Sequence, residues 1–303
     1  MTFSSQFKQL GKVALACGLA TSLVACGGSS ETAQNKEQAK KEIAAQKATK
    51  ADFNIILNNA PEPTAIPVLL ERSGAEFDAT LLNKRDKATS YTLTEASSAL
   101  NFGVYISDIA YLSAFGKAQE AIDYFTTAKT LSDKLGISQA MGEDLSEKLE
   151  KSLSDKEAML KVISASEGKV KQFLNTNSQY DVAALIVTGT TLEALHISLG
   201  LVNNAPADLP EEARDALLVD LMSSIAKQRS SIDAIVEILA PLQNGSDKAV
   251  EYAKSFKSLQ AEYDKLNFDE KLKDNKGGYQ LKSEDLKGIS TIVEKLRTMT
   301  VSE

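Results

Sequence analysis

Glu193 and His196 are the residues of this chain whose types and spacing come closest to a metal site. They form a Glu-x-x-His pair, and residues three apart share one face of a helix. Carboxylate-bridged di-iron bundles need this pair twice. Because the chain contains a single histidine, the second pair cannot be formed. We therefore interpret His196 as a buried histidine hydrogen-bonded to a carboxylate. A ligand pocket that uses Glu193 and His196 stays open as the weaker alternative.

The remaining composition gives little support for catalysis. One histidine and two cysteines cannot supply a zinc site built from several His or Cys ligands. No Gly-x-Ser-x-Gly elbow accompanies His196, and the sequence has no glycine loop of the Walker or dinucleotide type. We therefore predict no catalytic residue, no metal and no bound cofactor.

The first 26 residues combine a polar start, an apolar run and a cysteine. Lys8 and Lys12 precede the apolar run 13–25, which is too short for a permanent membrane span but typical of a secretory leader. The run ends in Leu23-Val24-Ala25-Cys26, and glycine and serine follow. This order resembles the lipobox of bacterial envelope lipoproteins.

The lipobox resemblance implies a covalent anchor on Cys26. The thiol would receive a diacylglyceryl group, residues 1–25 would be removed, and the new amino terminus would be acylated, for example with palmitate. The resemblance thus implies a place in the cell envelope, with the membrane reached through the lipid. Gly27, rather than aspartate, is compatible with sorting to the outer membrane, and both the periplasmic and the surface face stay open.

Removal of the leader makes an acidic chain more acidic. The leader carries two lysines and no acidic residue, so the formal charge changes from -7 to -9. A chain with this balance is a poor partner for nucleic acid or for an anionic lipid surface. The lipid alone must then hold the protein at the membrane. At about 0.8 kcal/mol per buried CH₂, two or three acyl chains are enough for a stable anchor.

The chain divides by composition into a leader (1–25), a lipidated flexible tether (26–50) and a helical domain (51–303). The tether begins with glycine and serine and continues with mixed charges, as expected of a solvated linker. All six prolines lie in three groups, at 61–67, 206–210 and 241. Because proline interrupts helices, a subdivision of the domain near 203–210 stays open.

Apolar residues at helical spacing predict an all-α fold, a multi-helix bundle. Thr94 is expected to cap the first long helix, and Gly136 to end the second. No region alternates apolar and polar residues for long enough to predict a sheet. The predicted helices are 94–115, 117–135, one from Leu145, one from Ser154 or Asp155, 178–204, 211–239, 246–268 and 283–299.

Two of these helices carry further patterns. The segment 178–204 is apolar around most of its circumference, which predicts the central helix of the bundle. Gly116, Ala121, Phe125 and Ala128 resemble the second half of a tetratricopeptide unit over about 25 residues. That resemblance implies at most a degenerate helical-repeat scaffold. The alternative is that small residues mark a close helix crossing.

Together these features predict a lipid-anchored, all-α envelope protein that works by binding. The leading hypothesis is a structural or accessory module that presents helical surface to an envelope protein partner. The alternative is a small-molecule-binding lipoprotein with a pocket around the central helix 178–204. An enzyme without a recognisable motif is the third.

Overall fold

Helices make up most of the part of the chain that the structure, a computed structural model, describes: residues 71, 74–142, 144–205, 211–240, 247–266 and 283–302. These residues form ten α-helices and no strand, which confirms the predicted all-α bundle. All ten belong to one compact unit, Ala48–Glu303. The leader 1–25, Cys26 and the tether to residue 50 lie outside the described residues, as do residues 206–210 of the possible subdivision near 203–210.

The helices follow one another with short connections and a few 3₁₀ turns. The α-helices are α1 Glu95–Ala114, α2 Ala118–Lys134, α3 Ser138–Met141, α4 Leu145–Lys151, α5 Lys156–Thr176, α6 Tyr180–Asn203, α7 Glu211–Lys227, α8 Arg229–Leu239, α9 Asp247–Leu266 and α10 Lys287–Val301. The 3₁₀ turns are Ala79–Leu81, Arg85–Lys87, Ser90–Thr92 and Ser283–Leu286.

Several helix ends have the chemistry that the sequence predicts. The Thr94 side chain accepts a hydrogen bond from the backbone N–H of Ser97 at 3.0 Å and caps α1. Asp155 accepts from the N–H of Ala158 at 2.9 Å and caps α5. After α2, Gly136 has φ of 69°, a left-handed conformation that glycine adopts without strain.

The predicted single helix 211–239 is wrong in one respect, because the structure divides it into α7 and α8 at Gln228. The N–H of Gln228 donates to the carbonyl of Ile225, three residues back, at 3.0 Å. Its side-chain amide is buried and donates to Ser198 Oγ at 3.3 Å. This break coincides with a tertiary contact, and neither glycine nor proline marks it in the sequence.

The helix α6 is central to the bundle, as predicted. It packs against α1, α5, α7, α8 and α10. Its length and mean hydropathy (1.6) would also allow it to span a membrane, and no other described helix has both. Its most apolar segment is, however, 83% buried inside the structure. That burial is expected of the core helix of a bundle.

The backbones of α1 and α6 touch at two glycines. A Cβ atom on Gly103 would overlap the carbonyl oxygen of Ile186, and one on Gly189 would overlap that of Leu100. Thr190 Oγ1 donates to the carbonyl of Gly103 at 3.2 Å across this crossing. Small residues thus allow the closest helix contact of the central pair.

The helix α2 covers another part of α1. Ala121 and Ala128 are buried, with 3% and 0% of their surfaces exposed. Buried alanines on a helix that packs along its predecessor agree with the interpretation of small residues at a close crossing.

Candidate functional site

Glu193 lies wholly inside the bundle and is held by an arginine. Arg297 of α10 donates from Nε to Glu193 Oε2 and from Nη2 to Oε1, each at 2.8 Å. The same Nη2 donates to the backbone carbonyl of Leu81 at 3.1 Å. The Glu193 side chain is 0% exposed and that of Arg297 16%. Such a two-point pair fixes α10 against α6.

His196 differs from its sequence interpretation in its partner. It is partly buried, its Nε2 has no hydrogen-bond partner in the structure, and Arg297 holds Glu193 instead. Burial, together with the charge of Arg297, lowers the pKa of His196, although the charge of Glu193 and the backbone of Leu81 raise it. His196 is therefore neutral at pH 7.

Asp108 of α1 adds a second buried carboxyl beside this pair. It is 0% exposed, and its Oδ2 accepts a hydrogen bond from the N–H of Asn83 at 3.2 Å. Burial first, and then the negative charge of Glu193, raise the pKa of Asp108 well above its usual range. Protonation removes the charge of Asp108, so one net negative and one positive charge share the site.

Asn83 connects this cluster to the tyrosines around it. Its carbonyl accepts from Tyr124 Oη at 2.8 Å, and its side-chain oxygen accepts from Tyr91 Oη at 3.4 Å. Tyr105 Oη donates to the next carbonyl, that of Lys84, at 2.8 Å. Burial raises the pKa of Tyr124 to about 12 and that of Tyr105 further. All three hydroxyls therefore stay protonated and act as donors.

The same region holds the last carbonyl groups of α10. The carbonyl of Val301 accepts from Lys87 Nζ and from Tyr91 Oη, both at 3.0 Å. The carbonyl of Thr300 accepts from Asn101 Nδ2 at 3.0 Å. The last carbonyl groups of a helix have no hydrogen-bond partner within the helix, and these bonds supply one. The bond from Asn101 also joins the C-terminal helix to α1.

We name Asp108, Glu193 and Arg297 the ion cluster and assign it a structural role. Both carboxyl groups are 0% exposed, so a substrate in solution cannot touch them. The arginine neutralises one carboxylate, and protonation neutralises the other. This arrangement avoids an unpaired buried charge and specifies how three helices pack.

The second candidate site is an apolar groove between α5 and the first half of α6. The helix α5 covers this region with a single stripe of buried side chains and leaves space beneath it. Apolar residues dominate the lining, which is Phe102, Ile106, Ile109, Phe125, Met141, Leu145, Leu149, Ile163, Ser166, Glu167, Val170, Lys171, Leu174, Ala183, Ile186, Val187, Thr190 and Thr191.

The groove is long and narrow. Between Ile163 and Leu174, α5 lines it over twelve residues of helix, whose eleven rises span about 16 Å. The cavity within it is small, about 70 Å³. Glu167 and Lys171 form an ion pair at 2.8 Å on the edge of α5.

The sequence shows signs of these two sites only in retrospect. Asp108 is a charge within the apolar face of α1, and Arg297 stands beside the buried stripe of α10. Charges in such places call for a partner, but the sequence does not say which. The sequence indicated the groove only through the apolar helix 178–204, around which a pocket was one alternative.

Known proteins offer no further guide to either site. Comparisons with family models, with curated proteins and with solved structures give no match for this chain.

Proposed function

We propose that this chain is a lipid-anchored bacterial envelope protein that binds an apolar small molecule in the groove along α6. The observation that carries the proposal is the groove itself, a concave space lined mostly by apolar side chains from six helices, as ligand sites commonly are. An apolar space gains little from water, whereas a hydrocarbon would cover its side chains.

The protein-binding module is the second candidate. At the groove, Ile106, Ile186 and Val187 are only partly buried, and an apolar helix of a partner would cover them. The large hydrophobic side chains that are exposed elsewhere on the described residues lie on separate elements, at Leu93, Leu153 and Val250. Single exposed side chains of this kind do not form a docking patch.

A neutral probe tests the groove without involving charge. The sample is the chain from residue 26 with Cys26→Ser, which lacks the lipid and keeps every described residue. We expect N-phenyl-1-naphthylamine to bind saturably, with an increase in its fluorescence. Ala183→Leu places a larger side chain in the groove and should weaken binding about tenfold, equivalent to about 1.4 kcal/mol.

The matched control is Ala240→Leu, the same substitution at an exposed position at the end of α8. It should bind the probe as the parent chain does. The proposal fails if the parent shows no saturable binding, or if Ala183→Leu binds as tightly as Ala240→Leu.

The anchor has its own test. Cells that make the full chain should yield a mature protein whose amino-terminal peptide carries the mass of a diacylglyceryl group and an acyl chain on Cys26. Cys26→Ser should remove this mass and release the protein from the membrane fraction. An unmodified cysteine in the mature wild-type protein would contradict the anchor and leave the groove to be judged separately.

A further inference from the structure

A second hollow adjoins the groove between α4 and α5. It shares Met141, Leu145 and Ser166 with the groove, so these three side chains lie where the two spaces meet. Beyond them most of the lining residues are charged. The remaining lining is Asp144, Lys148, Lys161, Val162, Ala165 and Lys169, and we name this space the lysine hollow.

The lysine hollow is positively charged in an acidic protein. It contains three lysines and one aspartate, whereas the whole chain has a formal charge of -7. Lys148 Nζ lies 2.6 Å from Asp144 Oδ2, and the pair is neutral. The hydrogen bond from Lys148 and the nearby charge of Lys169 lower the pKa of Asp144, so it stays ionised. Two positive charges remain in excess.

We propose that the groove and the lysine hollow together bind a single-chain amphiphile with an anionic head group. The hydrocarbon chain would occupy the groove, and the head group would lie near Lys161 and Lys169. This inference rests on the proposed function, because it names the ligand class of the same groove.

The shape of the groove selects a single chain. A slot about 16 Å long that admits little water suits an unbranched hydrocarbon, which bends to fit. Met141 stands between groove and hollow, and its flexible thioether side chain can repack around a ligand.

The charges on the two sides of α5 favour an anionic head group and determine on which side it binds. At the other edge of α5, Lys171 is paired with Glu167 at 2.8 Å, so that edge has no excess of positive charge. The lysine hollow has such an excess, and it attracts an anion while repelling a cation. The head group therefore belongs on the α4 side of α5.

Displacement of the bound neutral probe tests this inference. Three ligands with the same chain, dodecanoate, dodecanol and dodecyltrimethylammonium, compete with N-phenyl-1-naphthylamine below their micelle concentrations. In the parent chain dodecanoate should bind about tenfold more tightly than the ammonium compound. Lys161→Gln with Lys169→Gln should weaken dodecanoate about tenfold at low salt and leave dodecanol unchanged. Added salt should reduce the difference, because both lysines are exposed.

The control removes the same charge elsewhere. Lys129→Gln with Lys151→Gln changes two exposed lysines that pair with Asp133 and Glu147 outside the hollow. This variant should bind dodecanoate as the parent does. The inference is overturned, with the proposed function intact, if the probe binds but dodecanoate is not preferred or both double variants bind it equally. Absence of probe binding would overturn the two together.

Discussion

The two halves of α6 are packed in different ways. In the second half, Glu193 is held by Arg297 from α10 and adjoins the protonated Asp108 of α1. In the first half, Ala183 and Val187 face an apolar groove that α5 covers incompletely. The comparison shows that the two parts of one buried helix can be packed differently: the polar half fixes the positions of three helices, and the apolar half leaves space unfilled.

The largest expected effect is at the ion cluster. Arg297→Met removes the cation and leaves Glu193 buried and unpaired, which should lower the free energy of unfolding by about 3–5 kcal/mol. Urea denaturation followed by circular dichroism measures the loss. Adding Glu193→Met removes the orphaned charge and should restore most of the stability.

The control for this prediction is Arg229→Met. Arg229 also forms ion pairs, with Asp233 and Asp264, but its side chain is 30% exposed. Arg229→Met should lower the free energy of unfolding by at most about 1 kcal/mol. Equal losses for Arg297→Met and Arg229→Met would mean that the ion cluster is no more important than a surface pair.

The next effect separates two neighbouring alanines of the groove half. Ala184 is 0% exposed and does not line the groove, so Ala184→Leu should lower the free energy of unfolding by about 1–3 kcal/mol through overpacking. Ala183 lines the groove, and Ala183→Leu should lower it less because the added atoms fit into the groove. Thermal or urea unfolding of the two variants gives the comparison, and equal costs would argue that the groove is closed.

A third effect depends on pH. The folded-state pKa of Asp108 is raised above its unfolded value of about 3.9, so the folded protein retains a proton that the unfolded chain releases. The stability from this proton is complete below about pH 3.9 and is lost as the pH rises toward the folded pKa.

Asp108→Asn abolishes this titration while preserving the shape of the side chain. From about pH 4 upward, the wild-type protein should lose stability relative to the variant by up to about 1.4 kcal/mol per pH unit. Urea denaturation at a series of pH values measures the difference. A difference that does not change with pH would show that Asp108 is ionised in the folded protein.

The smallest effect is expected at His196. Its pKa is lowered by burial, so its contribution is present above about pH 6.5 and is lost as the pH falls toward the folded value. His196→Gln should lower the free energy of unfolding by about 0.5–1.5 kcal/mol at slightly alkaline pH, the range of a single polar contact. Iron, haem or another chromophore that purifies with the wild type and is absent from the variant would instead make His196 a ligand.

The sequence predicted the helices better than the sites. Apolar spacing and caps such as Thr94 and Asp155 are local signals, and the structure confirms them. The break at Gln228 and the pairing of Glu193 with Arg297 are not local, because the paired residues lie on helices far apart in the chain. The short spacing of Glu193 and His196 therefore suggested the wrong hydrogen bond, and Asp108 and Arg297 were missed.

The most direct measurement places a reporter in the groove of a chain that has no tryptophan. In Phe125→Trp the indole lines the groove, whereas in Phe77→Trp it lies in a separate hollow with Glu76 and Asp78. Both variants are titrated with a bromine-labelled dodecanoate, since bromine quenches indole fluorescence only at short range. We predict saturable quenching in Phe125→Trp and none in Phe77→Trp. Equal quenching in both variants, or none in Phe125→Trp, would contradict the claim that this groove binds an amphiphile.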